Sequence, residues 1–353
     1  MQSNLEIICP DDFHLHLRDG QLLKQVLGST THQFARAIIM PNLAKPVMTL
    51  ADALAYRQRI IDCFTPQTRF QPLMTFFMSK LIDLKDLEQA FLKNIIYGVK
   101  LYPHNVTTNS DYGVQDLKDI DHILQAMSDL GIPLLIHGEV HDETCDIFDR
   151  EAQFIERHLW DLRERFSNLK IVLEHITTIE SLDFIKQAGA LTAATVTPHH
   201  LLLNRSDIFK GGIRPHFYCL PIAKRERHRQ ALVEAVLSGR QDLFLGTDSA
   251  PHLQSEKQSI CGCAGIFCAP TTLAILAELF DQYQKLDHLE SFTSINGAKF
   301  YGLPLNSDKL VLARQAWKVD DAMEFFDGND GILNRIVIFK GGETLKWKII
   351  GKK

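Results

Sequence analysis

Eight short apolar runs, each followed in most cases by a helical pattern, constrain this chain more than any other feature of its sequence. They are Phe13–Leu17, Ala37–Met40, Leu73–Phe77, Gly98–Leu101, Pro133–His137, Ile171–His175, Leu191–Thr197 and Leu243–Asp248. Most are continuous rather than alternating, as in strands covered on both faces of a parallel sheet. Leu84, Leu87, Phe91 and Ile95 fit one helical face, as do Ile155, Leu159, Leu162 and Phe166, and Leu273, Leu276, Phe280 and Tyr283. Pro270 suits a first helical turn, and Gly239 suits a stop after Ala231–Ser238. Eight strand–helix alternations favour an α/β fold of the (β/α)8 TIM-barrel type over an open doubly wound sheet. No Gly-x-Gly-x-x-Gly follows an early strand, which weakens a dinucleotide-binding reading. With 353 residues, 45% of them hydrophobic, the chain can bury such a barrel as one unit. The tail "RIVIFKGGETLKWKII" reads as two strands around Gly341-Gly342, so residues 331–353 are expected to form a small C-terminal β appendage outside the barrel.

A net charge of −5 and a pI near 6.3 argue against a nucleic-acid or anionic-membrane partner. The start, "MQSNLEIICPDD", lacks the basic and apolar regions of a signal peptide, and no apolar run approaches a membrane span. Seven cysteines, odd in number and scattered, fit a reducing compartment. A soluble, cytoplasmic protein is the expectation.

In a barrel of this type, chemistry sits at the C-terminal ends of the strands. The first run holds His14 and His16 in "PDDFHLHLRDG", where extended alternation would put Arg18 on the same face. The fourth ends at Lys100 in "GVKLYP", the fifth at His137 in "PLLIHGE" and the sixth at His175 in "IVLEHITT". The eighth ends "LFLGTDSAPH", with Asp248 at its mouth and His252 beyond. A single histidine at a strand end is more often a hydrogen-bonded core residue than a ligand. Titratable groups at five strand ends are a candidate site for divalent metal, with Arg18 suited to a carboxylate. Lys100 is open to two readings. It snorkels to solvent, or CO2 converts it to an anionic carbamate able to bridge two metals. Cys261, Cys263 and Cys268 could suggest a structural zinc site, but no obvious fourth ligand lies nearby. Gly262 and Gly265 favour a loop whose backbone approaches a ligand closely.

The set His-x-His, Lys, His, His, Asp at successive strand ends resembles the amidohydrolase superfamily, and its details resemble the shorter bacterial type of the dihydroorotase family. The resemblance is carried by "PDDFHLHLRDG", "AIIMPNLAKPV", "KLYPHNVTTNS", "HGEV", "IFDREAQFIE", "EHITT", "GGIRPHFYCLPI", "FLGTDSAPH", "CGCAG" and "NGAKFYGLP", which span nearly the whole chain in the expected order. It implies a single barrel domain over residues 1–353. It also implies two Zn2+ ions per subunit, one held by His14, His16 and Asp248 and the other by His137 and His175, with carboxylated Lys100 between them. Arg18, Asn42 and His252 match the positions that hold a substrate carboxylate, and the backbones of Leu220 and Ala264 match those that meet a pyrimidine ring. His137 is carried over as a substrate contact too, and Thr107 and Thr108 match a mobile loop able to close over substrate. The chain departs from one family member at "TPHH", which adds His199, and His141 sits early in the segment after "HGEV". Neither replaces an implied ligand.

The activity so implied is the interconversion of dihydroorotate, a small molecule, and N-carbamoyl-L-aspartate in pyrimidine biosynthesis. A metal-bridging hydroxide would attack the ring amide, with Asp248 as general base and acid. A homodimer is implied by resemblance alone. The rivals are a hydantoinase- or allantoinase-like cyclic amide hydrolase, a catalytically dead barrel serving as a scaffold, and a single-metal deaminase that would not need Lys100.

Overall fold

The computed structural model describes residues 4–104, 112–260, 262–326 and 331–353. Thr107, Thr108 and Cys261 lie outside the described residues. The strands are β1 (Asn4–Ile8), β2 (Asp11–Leu15), β3 (Arg36–Ile39), β4 (Gln71–Phe77), β5 (Ile96–Leu101), β6 (Leu134–Ile136), β7 (Ile171–Leu173) and β8 (Thr192–Val196). They continue with β9 (Leu243–Leu245), β10 (Lys309–Ala313), β11 (Trp317–Lys318), β12 (Ala322–Phe326), β13 (Leu333–Val337), β14 (Thr344–Leu345) and β15 (Lys348–Lys352). Strands β2 to β9 pair in chain order as one eight-stranded parallel sheet. Each falls on one of the eight apolar runs. The chain folds as the (β/α)8 barrel that their number predicts.

Alternate strand residues serve two cores. Phe13, Ile38, Met40, Leu73, Leu135, Val172, Ala193 and Phe244 form one apolar cluster inside the barrel, while their neighbours along the strands pack outward against the helices. The helix Asn296–Tyr301 closes the bottom of this inner core. Phe13 stacks on Tyr301 at 5.1 Å and meets Phe244 edge-on at 5.1 Å. Gly297 is required there, because a Cβ would stand 2.2 Å from the Phe13 ring. This is the physical content of the "NGAKFYGLP" motif.

Barrel closure is local and strong. The Asp248 N–H donates to His14 O (2.9 Å) and the His16 N–H to Ser249 O (3.2 Å), joining the end of β2 to the segment after β9. The buried Asp12 side chain accepts from the Thr247 N–H (2.8 Å), the Thr247 hydroxyl (2.6 Å) and the His14 N–H (3.1 Å). At the other end of β2, Asp11 accepts from Arg36 Nε (2.9 Å) and from Asn306 Nδ2 (2.9 Å).

The tail forms strands outside the barrel sheet as expected, and their partners lie earlier in the chain. The strands on either side of Gly341-Gly342 do not pair with each other: β13 pairs with β12, β14 with β11, and β15 with β10, which also takes up β1. The reason lies in the turn, where the Gly341 backbone is so close to Asp321 O that a Cβ would stand 2.6 Å away. The Gly342 N–H donates to Val319 O (3.0 Å). The turn is therefore docked on preceding residues. No helix among the described residues is long and apolar enough to cross a membrane.

Beyond β8, Thr197 caps the short helix Pro198–Leu202 and its hydroxyl donates to His200 Nδ1 (2.8 Å). His200 Nε2–H then donates to Pro221 O (2.9 Å), fastening the segment that carries Leu220. Burial pushes His200 down to about 4 from 6.5, and the Lys224 charge adds to it against the bond to Pro221.

Two outcomes follow from these bonds. Asp12→Ala strips three acceptor bonds from buried donors and should lower unfolding free energy by at least about 3 kcal/mol in urea titrations. His200 is held neutral where an unfolded chain would protonate it. Its contribution is whole above about pH 6.5 and is lost as pH falls toward 4. Between pH 7 and 4, wild type should lose up to about 3 kcal/mol more stability than His200→Gln. Parallel pH dependences would exclude this role.

Candidate active site

The pocket at the C-terminal mouth of the barrel is lined by His14, His16, Arg18, Asn42, Tyr102, His137, His175, Leu220, Asp248, Ala250, Ala264 and Gly265. Of the described residues expected at the site, only Lys100 and His252 stand behind this wall rather than on it. Most of the chemistry-bearing side chains lie just past the paired part of a strand. His137 follows β6 directly, His175 is two residues past β7, and Asp248 three past β9. Leaving the ladder frees the backbone to turn the side chain into the mouth.

That turn is costly at three positions. Arg18 (φ +60°), His175 (φ +43°) and Asp248 (φ +45°) adopt the left-handed region, which costs a non-glycine residue on the order of 1–3 kcal/mol. Each is held there by a hydrogen bond. Asp248 N–H donates to His14 O (2.9 Å), His175 N–H to Thr195 Oγ1 (2.7 Å), and the Tyr56 hydroxyl to Arg18 O (2.6 Å). The simple alternation expected from His14 to Arg18 therefore stops short, since β2 ends at Leu15. Arg18 reaches the pocket through its backbone turn instead.

Three ligand atoms form a nearly equilateral triangle. His14 Nε2 is 3.3 Å from His16 Nε2 and 3.3 Å from Asp248 Oδ1, and His16 Nε2 is 3.2 Å from the same oxygen. A tetrahedral ion with ligands at about 2.0–2.1 Å requires ligand–ligand edges of about 3.3 Å. The donor set fits a cation in both chemistry and spacing. A second set, His14, Glu174 and His175, offers ligand atoms within 4.8 Å of one another. The rings of His137 and His175 are 4.8 Å apart by centroid.

Electrostatics favour the same use. Burial, reinforced by Arg18 and His14 against Asp248, pushes His16 down to about 4. Burial holds His175 well below its usual value, with Lys100 and His137 adding to the effect. Burial alone would raise Asp248, but His14 and His16 outweigh it and keep the carboxyl well below the ordinary carboxylate range. His16 and His175 are thus neutral beside an ionised carboxylate, as a divalent cation requires. Burial would lower His14 too, but Glu174 and Asp248 outweigh it and raise it to about 9, so His14 would shed a proton when a cation binds.

Two acids that the sequence reading passed over complete the set. Glu174 is fully buried, with one oxygen 3.0 Å from His14 Nδ1 and the other paired with the Lys100 ammonium. Glu139 lies 2.7 Å from His137 Nε2. A carboxylate behind a ligating imidazole fixes the ring and its tautomer. Both acids stand one or two residues from a strand-end histidine, in "EHITT" and "HGEV", and that spacing was the available signal. Tyr102 was also missed. Its buried hydroxyl has no hydrogen-bond partner among the described residues, and the Lys100 ammonium lies 4.8 Å from its ring centroid.

Across the pocket, Arg18 Nε donates to Pro251 O (3.1 Å) and Nη2 to His252 Nε2 (2.8 Å). Burial, then the Arg18 charge, pushes His252 down to about 2, so a neutral ring accepts the guanidinium proton. Cys263 belongs to a loop, where its thiol, His252 and Glu256 lie within 4.8 Å of one another, and Cys268 Sγ contacts Thr247 O at 3.4 Å. His199 is fully buried beside His200, and His141 is exposed, its ring 6.1 Å from that of His104.

Known proteins match this architecture along its whole length. The amidohydrolase family matches residues 7–319. A dihydroorotase from Hahella chejuensis is 50% identical over 346 residues, covering 98% of this chain and 99% of that protein. The crystal structure of dihydroorotase from Campylobacter jejuni superposes with a TM-score of 0.90 at 39% identity, covering 99% of each chain. That of dihydroorotase in complex with 5-fluoroorotic acid from Saccharomyces cerevisiae superposes at 0.89 with 31% identity, again over 99% of each. From its eight-stranded barrel to the residues at its mouth, this chain belongs to the amidohydrolase family and, within it, to the dihydroorotases.

Proposed function

We propose that this protein is a zinc-dependent cyclic amidohydrolase that interconverts (S)-dihydroorotate and N-carbamoyl-L-aspartate, the former a pyrimidine precursor. The observation that carries the reading is one pocket holding both a cation-binding triangle and an anion-binding arginine, in a chain 50% identical to a dihydroorotase. His14, His16 and Asp248 would hold one ion, and His137 and His175 the other. Bound divalent ions supply Lewis-acid polarisation of the ring carbonyl and lower the pKa of water from 15.7 to about 7.

Lys100 joins the two ligand sets in this reading. It is fully buried, and burial pushes its ammonium down from 10.5 despite the opposing charge of Glu174. A neutral amine is the form that adds CO2. The resulting carbamate would give the two ions a shared anion, while Glu174 keeps His14 Nδ1 as its partner.

The remaining steps belong to the chain. Arg18, oriented by Pro251 O and His252, pairs with the ring carboxylate, and Asn42 adds a polar contact on the same wall. Asp248 takes a proton from the attacking water as its oxygen bonds to the amide carbon. Breaking the carbon–nitrogen bond sends that proton to the leaving ring nitrogen. In reverse, Asp248 removes a proton from the carbamoyl nitrogen, and water leaves from the β-carboxylate. A hydantoinase-like hydrolase would need the same ligands but has no use for Arg18 and His252 as an anion pocket.

Arg18→Met separates these readings. A charge-assisted pair is worth roughly 1.5–3 kcal/mol, or about 10- to 150-fold in kcat/KM. The variant should lose at least that factor on dihydroorotate, keep its metals, and leave any weak hydrolysis of dihydrouracil almost unchanged. Equal losses on both substrates would favour the hydantoinase-like reading. Lys100→Ala should lose bound zinc and activity together, with partial return of both in short carboxylic acids. A fully active, fully loaded Lys100→Ala protein would rule out the carbamate bridge.

A further inference from the structure

Lys257 ends the short helix Gln254–Lys257 and is only 4% exposed, yet it forms no ion pair among the described residues. Its ammonium has three protons, and each meets a backbone carbonyl: Tyr218 O (2.7 Å), Cys263 O (2.8 Å) and Gly265 O (2.7 Å). The aliphatic alternative would avoid the cost of burying a cation. The three carbonyls come from two separate segments, and those segments supply the pocket-lining residues Leu220 and Ala264.

The geometry sets the direction of the intervening peptides. In a planar trans peptide the N–H points opposite to the C=O. Fixing the Cys263 carbonyl on Lys257 therefore turns the Ala264 N–H to the far side from the ammonium. The Gly265 N–H donates to Tyr218 O (3.0 Å), which likewise turns the Ala264 carbonyl away from Tyr218. Gly265 itself lies flush on the anion-binding side. At φ +148°, a Cβ there would stand 2.8 Å from Ala250 O and 2.9 Å from His252 Cδ2.

We propose that Lys257 is a positioning residue for substrate recognition: its ammonium clamps the carbonyls on both sides of Ala264 to that of Tyr218, presenting the Ala264 and Leu220 backbones to the ring. The proposal rests on the reading of the pocket as a dihydroorotate site. Lys257 touches neither the ligand set nor the reacting atoms, so its loss acts on ring binding more than on chemistry.

The test uses zinc-loaded Lys257→Met, which keeps most of the stem and removes the donors, beside Lys257→Arg. Lys257→Met should raise KM for dihydroorotate at least about tenfold, change kcat by less than about threefold, and retain wild-type zinc content. Lys257→Arg, which keeps a charged donor, should recover part of the KM. Hydrogen exchange at the Gly265 amide should quicken at least about tenfold in Lys257→Met without substrate. A KM within about twofold of wild type overturns the clamp, as does a KM rise that only tracks lost zinc. If Lys257→Met does not fold, Lys257→Gln is read against the same thresholds. Wild-type protein inert toward dihydroorotate would sink the proposed activity instead, and the exchange measurement would still decide whether the clamp exists.

Discussion

The site depends on how β2 meets the segment after β9. Asp12 binds both the Thr247 peptide and the His14 peptide, and two backbone bonds between residues 14–16 and 248–249 finish the seam. The same seam brings His14 and His16 together with Asp248, over two hundred residues away along the chain. Closing the barrel and assembling the ligand triangle are therefore one event. A substitution that loosened the seam would separate ligands before it exposed much apolar surface.

Around this seam the molecule accepts local cost for orientation. Three left-handed residues, a buried lysine and two fully buried glutamates crowd the mouth. Each is balanced by a specific partner: a hydrogen bond for the backbone turns, Glu174 for Lys100 and His14, Glu139 for His137. Strain and buried charge that would be destabilising elsewhere are tolerated where neighbours over-determine the geometry. The opposite end of the barrel shows the contrasting logic. There Phe13, Phe244 and Tyr301 pack around Gly297 with no charged side chain among them.

Much of this was legible in one dimension. Strand existence followed from apolar runs because a strand buried on both faces has no alternative environment. The strand-end histidines, Lys100 and Asp248 were legible because the barrel places all strand ends at one mouth. Less accessible were the residues whose role lies in a contact made only on folding. Glu139 and Glu174 stand beside histidines in the sequence but become informative only when their oxygens meet His137, His14 and Lys100. Lys257 carries no motif in the sequence, and only its burial against three carbonyls distinguishes it. The strands of the tail were legible as well, but not their partners, since pairing there follows the docking of the Gly341 turn on Asp321.

By itself, then, the sequence determined the number of barrel strands and most of the side chains that would reach the mouth, because periodicity and strand polarity are local properties. Tertiary structure alone decided which of those side chains touch, at what spacing and in which charge state. Those depend on peptide directions and burial set by residues hundreds of positions away. Arg18 is the clearest case. Extended alternation predicted the right pocket for it, yet the side chain arrives through a left-handed turn held by Tyr56, a contact that no local pattern in "HLHLR" contains.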